Sequence, residues 1–99
     1  MSKVFITENA HRDIEGIFTY IANDDLQAAY KIADELYGRI GMLEKFPDAG
    51  FPPKDDEITQ KGYLILVVHK FLIFYVSLND TVEIRYVIHG SRAYGKLIT

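Results

Sequence analysis

Apolar residues along this 99-residue chain change their spacing three times, and each change marks a different element. Val4, Phe5 and Ile6 place β-branched and aromatic bulk side by side, which predicts a short strand over Lys3 to Ile6. Thr7 is a helix N-cap candidate, with Glu8 in the first turn where the helix dipole favours an acid. Ala10, Ile14, Ile17, Phe18 and Ile21 then recur at helical spacing and form one apolar face. Asn23-Asp24-Asp25 breaks the pattern and supplies the next cap. From there Leu26, Ala29, Ala33, Leu36, Ile40 and Leu43 predict a second amphipathic helix. Pro47 disfavours helical backbone in its predecessor, so this helix is expected to stop near Phe46. Gly38 and Gly41 lie inside it and predict a weak last turn rather than a close backbone approach. The heptad-like spacing is too short for a coiled coil, and a helical hairpin packed on a sheet accounts for it better.

Asp48 to Lys61 contains Gly50, Pro52, Pro53 and the acidic run Asp55-Asp56-Glu57, and reads as an exposed loop. Three strands follow, over Tyr63 to Val68, Phe71 to Ser77 and Val82 to His89. Asn79-Asp80 is a hairpin-turn signal, and His69-Lys70 is a weaker one. In the last strand, alternation places Val82, Ile84, Tyr86 and Ile88 on one face, towards the helices. Glu83, Arg85, Val87 and His89 take the other face, towards solvent or a partner. The expected fold class is α+β, an antiparallel sheet with a two-helix hairpin packed on one face. Its element order is β-α-α-β-β-β.

Length fits one domain over residues 1–99. With 48% hydrophobic and 13% aromatic residues, the composition is that of a folded chain. There is no cysteine, hence no disulfide framework and no thiol chemistry. No apolar run reaches the roughly 18 residues of a membrane span, and Met1-Ser2-Lys3-Val4 does not open a signal peptide. The expectation is a cytoplasmic protein without membrane contact. Charge changes the picture at one end. Ile84 to Thr99 holds Arg85, His89, Arg92 and Lys96 and no carboxylate. The whole chain is −3 and this segment contributes +3, so residues 1–83 carry −6. Cations gathered in this way present a localised surface that attracts anions.

Most catalytic signatures are missing. His11, His69 and His89 have no metal-ligand spacing with a carboxylate or thiolate, so no metal and no cofactor are expected. Gly90-Ser91 lacks the Gly-x-Ser-x-Gly of a nucleophile elbow, and no glycine-rich phosphate loop is present. What remains is the strand-end cluster of His89, Arg92 and Tyr94, joined by Arg85 and Lys70. Arginine grips a phosphate with a planar fork, histidine moves a proton near neutral pH, and tyrosine stacks on a base. Those groups suit cleavage of an RNA phosphodiester. They suit anchoring on a protein surface equally well. A purely structural role is the third reading, with His89 closing a strand, Arg92 pairing with an acid and Tyr94 filling a core gap.

Several runs together carry a resemblance. They are Ala10-His11-Arg12-Asp13-Ile14-Glu15-Gly16-Ile17-Phe18-Thr19-Tyr20-Ile21, Leu43-Glu44-Lys45-Phe46-Pro47-Asp48-Ala49-Gly50, and Phe71-Leu72-Ile73-Phe74-Tyr75. The last is Val82-Glu83-Ile84-Arg85-Tyr86-Val87-Ile88-His89-Gly90-Ser91-Arg92. In order and spacing the chain resembles the RelE/ParE superfamily of type II toxin–antitoxin toxins, over almost its whole length. The resemblance implies a small bacterial toxin that inhibits growth and is held inactive by a cognate antitoxin. It leaves open a homodimer and a heterotetramer with that antitoxin. RelE-like members cut mRNA in the ribosomal A site with arginine, lysine and sometimes histidine or tyrosine, whereas ParE-like members poison DNA gyrase. Tyr20-Ile21 and the His-Gly-x-Arg end look closer to the ParE side.

Two positions depart from the wider pattern. Leu64 stands where many relatives carry an arginine, which removes a phosphate-binding cation from the ribosome-directed reading. Ala93 stands where an acid often follows the closing arginine. The expectation is therefore a ParE-like toxin that presses on gyrase through Lys70, Arg85, Arg92, Tyr94 and Lys96, the same residues serving antitoxin binding. The alternatives are a ribosome-dependent mRNA endonuclease using His89, Arg92 and Tyr94, and a degenerate member that binds antitoxin without toxicity.

Overall fold

A computed structural model describes residues 2–91. Its elements are β1 (Lys3–Ile6), α1 (Glu8–Ala22), α2 (Leu26–Met42), α3 (Asp56–Gln60), β2 (Tyr63–Val68), β3 (Phe71–Leu78) and β4 (Thr81–His89). Thr7 caps α1 by accepting the Ala10 N–H at 3.1 Å, and Asp25 caps α2 by accepting the Ala28 N–H at 3.1 Å. Each cap satisfies a helix-end donor that has no partner inside the helix. Regular helix ends at Met42, short of the expected Phe46. Turn hydrogen bonds from Lys45 and Phe46 back to the Met42 carbonyl carry the chain onward. Gly38 and Gly41 have nothing within 4 Å of where a Cβ would stand, so no backbone packs against them.

The sheet order is β1-β4-β3-β2. β2, β3 and β4 form the antiparallel meander, and β1 adds parallel to β4 from Lys3↔Thr81 to Ile6↔Ile84, which makes the sheet mixed. Positive φ at Asn79 (51°) and Asp80 (63°) closes the β3–β4 hairpin, and His69 (φ 55°) bends the β2–β3 turn. Ala10 and Ile14 of α1, Leu36 and Ile40 of α2, and Leu43 bury against Leu66, Ile73, Tyr75, Val82 and Ile84. Leu26 is the exception to its predicted stripe, exposed in the first turn of α2.

The segment expected to be an exposed loop is more ordered than that. Asp55 accepts the Glu57 and Ile58 N–H groups and caps α3, so the acidic run is a cap followed by two first-turn acids, Asp56 and Glu57. Ile58 of α3 is buried and packs with Tyr63, Ile65, Phe74 and Ile88 as a second core on the far side of the sheet. Phe51 pairs with Ile65 on the outer edge of β2. Gly50 passes so close that a Cβ would fall 2.7 Å from the Tyr75 hydroxyl and 2.8 Å from the Ile65 carbonyl oxygen. The Tyr75 hydroxyl accepts the Gly50 N–H at 2.8 Å and donates to the Pro47 carbonyl at 2.9 Å, holding this loop down.

A bulge corrects the predicted alternation of β4. Phe74 pairs with Tyr86 but Tyr75 pairs with Ile84, so Arg85 is an extra residue. One inserted residue reverses which face every later side chain takes. Val82, Ile84 and Val87 therefore join the core under the helices, while Tyr86 and Ile88 pack into the far core.

Candidate partner-binding groove

Beyond Ile84, no strand among the described residues lies on the outer side of β4, because β1 ends at Ile6. Side chains from the N-terminal half of α1 take the backbone groups left open there. Asp13 accepts the Val87 N–H at 2.9 Å, and the Arg85 carbonyl accepts from Asn9 at 3.0 Å and from the Thr7 hydroxyl at 3.4 Å. These bonds stitch α1 along the strand edge, where open groups would otherwise invite another chain.

A groove of about 1050 Å³ opens where α1 and α2 meet the β2–β3 turn and the end of β4. Half-buried Ile17, Ile21, Ile32 and Phe71 and buried Val87 give it an apolar lining. Arg12, His69, Lys70 and His89 stand at its margin with strongly exposed Tyr20. Among the described residues the acid lining it is Asp13, and that carboxylate is engaged by Val87. His69 also contacts Glu35 of α2 and so separates this groove from a smaller hollow of about 460 Å³ beside Gly38, Arg39 and Val68.

Of the residues singled out in the sequence, the structure brings His89 and Lys70 together here. The Gly90 N–H donates to the Lys70 carbonyl at 2.7 Å, tying the turn to the end of β4. The His89 ring meets Phe71 edge-on, centroids 5.6 Å apart at 84°. Its Nδ1 lies 2.7 Å from the Ser91 hydroxyl and 3.1 Å from the Ser91 nitrogen.

Arg85 is elsewhere. Its Nε donates to Glu83 at 2.7 Å, a terminal nitrogen reaches the Tyr63 hydroxyl at 3.4 Å, and the guanidinium sits 5.6 Å from the Tyr63 ring centre. The hydrogen bond to Tyr63 raises its already high pKa, and the Glu83 contact acts in the same direction. Burial raises the Tyr86 pKa beside it. Arg92, Tyr94 and Lys96 lie outside the described residues.

The family model for the ParE toxin of type II toxin–antitoxin systems matches residues 4–94, which include both sides of this groove. The chain belongs to the ParE toxin family. Solved structures show the same fold. The chromosomal ParDE system from P. aeruginosa superposes with a TM-score of 0.75 at 16% identity, covering 90% of this chain and 96% of that one. The RelBE2 toxin–antitoxin complex from Mycobacterium tuberculosis superposes at 0.58 with 24% identity, covering 89% and 96%. No curated protein matches the sequence.

Arg12, Tyr20 and His69 also line the groove of this ParE-family toxin and were not among the site residues expected from the sequence. Arg12, Gly16 and Tyr20 recur every four residues beside the buried stripe of α1, a spacing that places them on one face. That register was the available signal. For His69 there was none, because the turn that carries it gains its meaning from α2.

Proposed function

We propose that this ParE-family toxin is neutralised by a cognate antitoxin seated in the groove, and that it acts on DNA gyrase by protein–protein contact. The observation that carries the first half is the pairing of an apolar lining with His69, Lys70 and His89, which the β2–β3 turn and the end of β4 bring together at the groove. An acidic amphipathic segment that folds as it binds complements such a surface. The ParDE and RelBE2 toxin–antitoxin structures share this fold, which supports an antitoxin partner.

Family membership supports the gyrase half, and so does the state of Arg85. A guanidinium already held by Glu83 and Tyr63 is poorly placed to grip a scissile phosphate. Leu64 adds no cation. The rival is ribosome-dependent mRNA cleavage, with Arg92 stabilising the transition-state phosphate and His89 or Tyr94 moving the proton.

The test adds purified toxin to a gyrase supercoiling assay and, separately, to a translating ribosome extract with mapped mRNA ends. The expected result is inhibited supercoiling with intact messages. Codon-phased cuts with unaffected gyrase would replace the gyrase reading with the endonuclease. In cells, induced expression should arrest growth and the adjacent small protein should restore it. Normal growth with folded protein would favour a degenerate member.

A further inference from the structure

The contacts of His89 determine which of its ring nitrogens carries the proton. The Ser91 backbone N–H lies 3.1 Å from Nδ1, and a backbone N–H can only donate. Nδ1 must therefore present its lone pair, and the neutral ring carries its hydrogen on Nε2. The Ser91 hydroxyl, 2.7 Å from the same Nδ1, must also donate to it. Phe71, edge-on at 5.6 Å, braces the plane of the ring. The nitrogen left to meet an occupant is a hydrogen-bond donor on an exposed residue that lines the groove.

The surroundings indicate what that donor meets. Lys70 offers a further donor beside His89, Arg12 on α1 is paired with Glu8 at 2.5 Å, and Asp13 has turned an oxygen to the Val87 N–H. An occupant with acceptors, above all a carboxylate, matches this set. We propose that Ser91 is a positioning residue that holds His89 with Nε2–H outward, as a donor to a carboxylate of the segment bound in the groove. This rests on the groove being the antitoxin seat.

Two measurements test it. The first is the nitrogen-15 spectrum of His89 in the free toxin, recorded on the neutral ring. A protonated Nε2 and a bare Nδ1 are expected in the unaltered chain and in Ser91→Thr. In Ser91→Ala the separation of the two signals should narrow as the ring loses one of its two anchors. A protonated Nδ1 in the unaltered chain overturns the proposal. An unchanged spectrum in Ser91→Ala overturns the role of the serine side chain.

The second measurement is affinity for a peptide made as the C-terminal segment of the small protein encoded beside the toxin. A glutamine amide nitrogen reaches about where Nε2 stands, and an asparagine amide stands nearer Nδ1. His89→Gln should bind within about twofold of the unaltered chain, whereas His89→Asn should lose on the order of tenfold. Equal affinities for all three chains overturn the carboxylate contact. Failure of the unaltered chain to bind, with the spectrum as expected, overturns the groove reading and the carboxylate contact while leaving Ser91 as the residue that orients His89.

Discussion

Arg85 and His89 stand four residues apart on the same strand, and the fold gives them opposite circumstances. Arg85 sits at the bulge with Glu83 and Tyr63 around its guanidinium, whereas His89 lines the groove between the helices and the β2–β3 turn. Both were candidates on charge and position alone. Counting cations along a segment locates a field but says nothing of which cations already have partners. The bulge also separates two faces of unequal use, one carrying the helices and the groove, the other closed by α3.

The far face yields the largest expected effect. Phe74 is fully buried beneath Ile58, Tyr63, Ile65 and Ile88. Phe74→Ala should cost about 3–5 kcal/mol, measured by denaturant unfolding, as for a phenylalanine removed from a true core. A loss under about 1 kcal/mol would make that face a solvated sheet surface and remove the contrast with the helix side.

Next comes the loop anchored by Tyr75. Tyr75→Phe leaves the Gly50 N–H and the Pro47 carbonyl without their partner, at about 1–3 kcal/mol for each group that stays desolvated. Burial raises the Tyr75 pKa above its ordinary 10.0, with Asp48 adding to it and the Gly50 hydrogen bond opposing. The unfolded chain therefore ionises first. Stability should be level below about pH 10 and fall as pH rises through and beyond it. Tyr75→Phe should show a shallower alkaline decline, and an equally steep one would exclude Tyr75 as the cause.

These two sites show how far the sequence could be read. The helix caps at Thr7 and Asp25, the apolar stripes and the strand limits were legible because each is a local pattern. The far core was not, since Ile58 lies in a segment whose prolines and acids signal a loop, and its burial depends on strands that come later in the chain. The bulge was half legible. Tyr86-Val87-Ile88 is a continuous apolar run, the mark of a strand covered on both sides, yet strict alternation assigns Val87 to the polar row. Of the site, Lys70 and His89 were found from charge at a strand end. The engagement of Arg85 was hidden because Tyr63 lies 22 positions away and reaches it through the register of three strands.

Asp13 tests the seam that joins α1 to the open edge of β4. Asp13→Ala should cost about 1–3 kcal/mol by leaving the Val87 N–H without an acceptor. Asp13→Asn, which keeps an oxygen there, should cost less. Hydrogen exchange at the Val87 amide should quicken in the alanine variant. Unchanged exchange would mean that the side chain does not protect this edge.

The smallest expected effect bears most directly on the opening contrast. Lys70 is exposed at the groove, and Arg85 is engaged on the other side of the strand. If an acidic antitoxin segment occupies the groove, Lys70→Ala should weaken binding by a few-fold at low salt, the scale of an exposed ion pair. The effect should shrink as salt screens the pair, and the slope of affinity against salt should become shallower. Arg85→Ala removes the same formal charge from the same chain, so net charge alone predicts the same loss. The geometry predicts otherwise: affinity and salt slope should stay near those of the unaltered toxin, once any change in folded fraction has been measured by thermal unfolding. Equal losses from the two substitutions would show that the antitoxin senses the overall field of the basic end. A larger loss from Arg85→Ala would place the binding surface on the face closed by α3.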